Sequence, residues 1–162
     1  MIQREVARLD LVGVAASGAL LRLSFEEASA QADSAGGAPQ WRWQAIGGLD
    51  APPSGLGLDT ARLVGADLDN NAAFDLVVSG VGESRVLLGG ASGRFEALPA
   101  RLAMSVRAAA DLDGDGRLEL VGLSPDRRVT VARSRGAKSY HWQRLRMRAA
   151  TATGDQRVSS FG

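Results

Sequence analysis

The 162-residue chain contains no cysteine, and aromatic residues make up only 5% of it. The first absence excludes disulfides, thiolate-held zinc and a cysteine nucleophile together. There is one histidine, His141, and no Gly-x-Ser-x-Gly elbow, so a serine–histidine–acid triad has no frame to stand on. No apolar run approaches the roughly 20 residues that a membrane-crossing helix needs. The opening "MIQREVARLDLVGVAASG" has no uncharged apolar stretch behind a basic one, and does not read as a secretion signal. Helical patterning is missing too: no stretch of about a dozen residues sustains a 3.6-residue apolar period. The glycines of "SGVGES" and "LGGASG" lack dinucleotide-loop spacing and a following helix, and read as turns.

What remains has ordinary globular proportions, 45% hydrophobic and 23% charged with 20 glycines, enough chain for one domain with a real core. The net charge of +1 exerts no global pull towards nucleic acid or anionic membrane. It is unevenly spread, however. Residues 1–100 carry 7 basic and 12 acidic side chains, and residues 101–162 carry 12 and 6.

Two stretches, "RLVGADLDNNAAFDLVVSG" (Arg62–Gly80) and "SVRAAADLDGDGRLELVGL" (Ser105–Leu123), align without gaps across their acidic clusters, whose members lie 44 residues apart. A partial copy at the N-terminus, "RLDLVGV" from Arg8, is the first in chain order and makes the two above the second and third. It places Asp10 opposite Asp75 and Glu119 but lacks the other acids, which leaves Asp10 a strand-end residue rather than a ligand. Each copy leads into short runs rich in Val, Leu and aromatics ("SRVLLGG", "GRFEALP", "RRVTVARS", "QWRWQAIGG") punctuated by Gly, Ser, Asp and Pro. That is the signature of strands and turns. About four strands every 44 residues is the arithmetic of a β-propeller blade. The expected fold is therefore all-β, a partial propeller of about three four-stranded blades spanning 1–59, 60–103 and 104–149. Two Ala/Gly/Ser/Pro-rich insertions, 26–39 and 47–59, lengthen the first blade.

The acids recur at D-x-D-x-[DN]-x-x-x-[DE]. Carboxylates about 4 Å apart repel by roughly 4 kcal/mol per pair at an effective dielectric near 20, so Asp111, Asp113, Asp115 and Glu119 call for a cation. An EF-hand requires flanking helices and a glutamate at position twelve. Here position twelve is Gly122 and the flanks read as strands, so the EF-hand reading fails. Hard oxygen ligands at alternate positions of a strand-to-strand loop suit calcium better than magnesium, which holds its water and tolerates distorted cages poorly. Gly116 supplies the positive φ of the turn. The alternative is a pair of solvated hairpin turns, since Asp-Gly is itself a turn signal.

These motifs resemble the FG-GAP/VCBS repeats, the blades of integrin-α-type β-propellers, over about residues 8–148. The resemblance implies calcium held by side chains at positions one, three, five and nine and by the main-chain carbonyl at seven. In the third copy these are Asp111, Asp113, Asp115, Glu119 and the carbonyl of Arg117. In the second they are Asp67, Asp69, Asn71, Asp75 and the carbonyl of Ala73. Asn71 replaces an acid and Ala72 replaces the turn glycine, so the second site is expected to bind more weakly. The tail "GDQRVSSFG" (Gly154–Gly162) is similar to the opening of the ASPIC/UnbV domain of cartilage-acidic-protein-like chains. It marks 150–162 as a linker or the start of a following domain, and the chain as a piece of a longer protein.

The resemblance further implies a non-catalytic module that binds or scaffolds a protein or carbohydrate in an extracellular, periplasmic or cell-surface setting. Three blades cannot close a ring, so further blades of a longer chain, or self-association, are expected to cover the ends. The alternatives are a propeller enzyme of lyase or hydrolase type, and an anionic-polysaccharide module using Arg144, Arg146 and Arg148. Period two places those three arginines on one strand face, but an edge strand kept soluble by charge is the favoured reading, since arginine on an edge needs no ligand. His141 in "SYHWQ" reads as a strand residue. Trp41 and Trp43 share a strand face and are expected to pack between blades.

Overall fold

The computed structural model describes residues 10–26, 40–57, 59–134, 148–150 and 156–158. His141, the neighbouring aromatics, and Arg144 and Arg146 lie outside them. The described chain is all-β, and every ladder is antiparallel. Sheet 1 runs in the order β1 (Leu11–Val14), β2 (Ala19–Glu26), β3 (Gln40–Gly48). Sheet 2 is β4 (Arg62–Ala66), β5 (Asp75–Ser79), β6 (Ser84–Gly89), β7 (Phe95–Leu102). Sheet 3 is β8 (Ser105–Ala110), β9 (Glu119–Leu123), β10 (Val129–Ala132), and β11 (Arg148–Ala150) pairs separately with β12 (Gln156–Val158). Each sheet is open. Among the described residues, no helix is long and apolar enough to cross a membrane.

The strands follow from local composition. "DLVVS" and "SRVLLG" are β-branched or leucine-rich and bounded by Gly and Ser, so they suit a pleated surface covered on both sides. Three hairpins share one turn chemistry. The amides of Gly18, Gly93 and Arg127 donate to the carbonyls of Ala15, Gly90 and Ser124, three residues back. Each donor takes a left-handed φ, of 88°, 68° and 64° respectively. Glycine adopts that conformation at no steric cost; Arg127 is the exception.

Strand alternation gives sheet 2 two apolar faces. Leu76, Val78 and Leu87 turn one way and are buried against Leu20 and Ile46 of sheet 1 and the following Leu49. Val77 and Val86 turn the other way and are buried with Met104, Val106 and Leu120 on the side of sheet 3. The three sheets therefore stack face to face, and every residue of β5 is buried. Buried hydroxyls tie sheets 2 and 3 together as well. Ser84 Oγ donates to the Met104 carbonyl (2.6 Å) and accepts the Val106 amide (3.1 Å). Ser105 Oγ donates to the Gly80 carbonyl (2.7 Å).

The outer faces of the stack correct one expectation. Trp41 and Trp43 do share a face with Phe25 and Leu23, their cross-strand partners, and Trp41 meets Phe25 edge-on at 5.2 Å. They are nevertheless 54% and 64% exposed rather than packed between sheets. The reason is orientation: the opposite face of sheet 1, carrying Val12, Val14 and Ile46, is the one turned to sheet 2. On the far side of sheet 3, Val129 and Val131 are exposed in the same way.

Candidate metal centre

Both acidic loops sit at the same place in their sheets, joining the first strand to the second: 67–74 links β4 to β5, and 111–118 links β8 to β9. Their backbones repeat each other at the 44-residue offset. Left-handed φ values fall at Asn70 (56°) and Ala72 (65°) in one loop, and at Gly114 (81°) and Gly116 (82°) in the other. Asp67 accepts the amides of Asn71 and Ala72 at 3.0 Å each. Asp111 accepts those of Gly114 (2.7 Å) and Gly116 (3.3 Å). The Ala73 amide donates to Asn71 Oδ1, and that of Arg117 to Asp115 Oδ1. At the closing position, Asp75 accepts the Leu68 amide (2.6 Å) and Glu119 accepts the Leu112 amide (2.8 Å). Asp10 stands apart from both clusters and lies 3.9 Å from Arg22.

The turns bring carboxylates together. Asp67, Asp69 and Asp75 each offer an oxygen within 4.8 Å of the other two, and so do Asp111, Asp113 and Asp115. Glu119 is not in that converging set. It is buried, 3% exposed, with an oxygen on the Leu112 amide. The expected ligands therefore divide: in each loop three acids converge, while Asn71 and Glu119 are engaged with the protein itself. Asn71 donates its side-chain amide to Asp69 Oδ2 (3.3 Å) and to the Gly89 carbonyl (2.9 Å). Asp115, at the matching position, has no donor to give.

Burial weighs on the closing acid of the second loop. Burial raises the Asp75 carboxyl above the ordinary range, and the like charges of Asp69 and Asp67 push the same way. The amides of Gly89 and Leu68 pull it down without reversing the shift. Asp69 Oδ1 is shielded from water and has no hydrogen-bond partner; it borders an apolar cavity of about 270 Å³ between sheets 2 and 3. An unpaired buried carboxylate oxygen is costly, and a cation in the loop would satisfy it. In the third loop the Arg133 guanidinium stands 3.9 Å from Asp113 Oδ2, a distant counter-charge on exposed side chains. The donor sets are all-oxygen, as hard cations require.

Two participants escape the sequence motif. Gly89, at the end of β6, donates its amide to Asp75 Oδ1 (2.8 Å) and accepts from Asn71. Arg133 approaches Asp113. They do not occupy matching positions, because the turn between β9 and β10 is one residue longer than that between β5 and β6: Ala132 pairs with Leu120 where Leu87 pairs with Leu76, so a gap-free extension of the internal alignment points to neither. Comparison with protein-family models, curated proteins and solved structures gives no match to this chain.

Proposed function

We propose that the chain is a calcium-binding β-propeller-type repeat module of the FG-GAP/VCBS kind, which binds or scaffolds a partner and does no chemistry itself. The observation that carries this reading is the pair of loops. Two segments 44 residues apart adopt one backbone geometry, and each converges three carboxylates. Sheets of consecutive antiparallel strands stacked face to face are the arrangement that blades adopt. Asp111, Asp113 and Asp115 would hold one ion, and Asp67, Asp69 and Asp75 the other, with the carbonyls of Ala73 and Arg117 completing the shells and Asn71 and Glu119 bracing the loops from within. The ion would supply charge neutralisation, fixing the crossings from β4 to β5 and from β8 to β9. A site of this kind suits a setting outside the cytoplasm, where calcium is abundant.

The test is thermal unfolding in millimolar calcium and in excess chelator. At one hundred times the dissociation constant, one site adds about 2.7 kcal/mol, a rise in Tm of roughly 5–10 °C at this length. Asp113→Ala should remove the part due to the third loop, and Asp69→Ala the smaller part due to the second. Coincident melts with and without calcium would sink the proposal and leave the acids as solvated turns.

A further inference from the structure

At the end of the stack opposite the acidic loops, basic residues gather around a cleft. The turn between β5 and β6 lies against the turn between β9 and β10, so close that a Cβ on Gly82 would come within 3.4 Å of Pro125. Beside them, the segment entering β4 and the start of β8 close a cleft of about 360 Å³. That is within the roughly 300–1,000 Å³ of small-molecule sites. Arg62, Arg107 and Arg127 line it, with Asp59 as the one acid among the lining residues. Ser105 and Gly80, also among the lining residues, are tied together by the bond from the Ser105 hydroxyl to the Gly80 carbonyl.

Exposed arginines are ordinary, and three of them on a surface prove nothing alone. Two backbone irregularities separate these from a solubilising scatter. The ladder between β8 and β9 slips between Val106 and Ala108, leaving Arg107 as the extra, unpaired residue of a bulge. Bulges re-aim side chains and gather beside functional sites. Arg127 occupies the left-handed turn position that Gly18 and Gly93 fill in the matching hairpins. An arginine there is strained where glycine is not, and strain of this kind clusters at ligand clamps. Neither Arg107 nor Arg127 forms an ion pair with a described carboxylate. Arg62 spends one nitrogen on the carbonyls of Asp59 and Ala61, which leaves its charge uncompensated.

We propose that this cleft binds a small ligand through a compact dianionic group, a phosphate monoester or a dicarboxylate, held between the Arg107 and Arg127 guanidiniums with Arg62 behind them. Three cations against one acid leave two positive charges to be matched. Planar guanidiniums pair two-pronged with the oxygens of such a group. The site is separate from the metal loops, lying at the other end of β4 and β8, and does not depend on their occupancy.

The test is calorimetric titration of the full chain with inorganic phosphate and, separately, with succinate, in calcium-free buffer so that no salt precipitates. One of the two probes should bind saturably at one site, and the tighter probe identifies the anion class. Arg107→Gln should weaken binding at least tenfold, in line with loss of a charge-assisted bond. Arg127→Gly is the sharper variant. It should weaken binding by a similar factor while raising Tm by about 2–4 °C, because glycine relieves the turn. Absence of saturable binding by either probe overturns the proposal. So does binding that Arg127→Gly leaves unchanged, since the arginine would then be a turn residue only.

Discussion

At the scale of single residues, the acids of one motif do two different jobs. Asp75 is fully buried, with both oxygens bound by backbone amides, so it holds the loop to β6 whether or not a cation is present. Asp75→Ala should cost about 2–5 kcal/mol in urea unfolding even in chelator, as two amides lose a charged partner. Asp113 is exposed, and Asp113→Ala should cost less than about 0.5 kcal/mol under the same conditions. Ala72, at a φ of 65°, carries a strain that Gly116 avoids at the matching position. Ala72→Gly should therefore raise stability by up to about 1 kcal/mol. Glu83 provides a pH test. Burial pushes its carboxyl up, but bonds from Ser54 and Arg101 more than offset this and leave it below the ordinary carboxylate range. A carboxylate lowered by folding contributes stability above its unfolded pKa and loses it as pH falls through the folded value. Wild type and Glu83→Gln should thus differ in Tm at neutral pH and converge once acid has protonated Glu83.

At the scale of elements, the strands were legible because alternation and turn residues are local properties, and they show directly in "DLVVS" and "SRVLLG". The equivalence of the acidic loops was legible because the 44-residue offset aligns them without a gap. Three features were not. The bulge at Arg107 leaves no mark on composition. Whether Trp41 and Trp43 face a neighbour or solvent depends on which side of sheet 1 meets sheet 2, and both sides read as apolar. Gly89 looked like a turn residue, although both its backbone groups serve the acidic loop. Close approach of strands also sets a demand that no motif announces. A Cβ on Gly122 would lie 2.2 Å from the Ser105 carbonyl, whereas Gly13 has nothing within 4 Å. Gly122→Ala should destabilise by about 1–3 kcal/mol through overpacking against backbone. Gly13→Ala should be neutral or slightly stabilising, and paired urea titrations would check both.

At the scale of the whole molecule, the stack has a covered middle and two apolar outer surfaces. Phe25, Trp41 and Trp43 on one, and Val129 and Val131 on the other, are exposed. Such surfaces lower solubility and bind hydrophobic dyes. A Trp41→Thr, Trp43→Thr double variant should bind less dye at equal helicity-free circular dichroism, with its Tm little changed because neither ring is buried. The burial of β5 has a further consequence, which concerns time rather than energy. Amides in a strand shut in on both sides exchange with solvent only when the whole chain opens, while those of outer strands such as β1 and β10 exchange through local fraying. Hydrogen–deuterium exchange should accordingly be slowest at Leu76, Val77 and Val78. The loop of Asp67 runs straight into that strand, so an ion captured at the surface would slow the slowest clock in the protein.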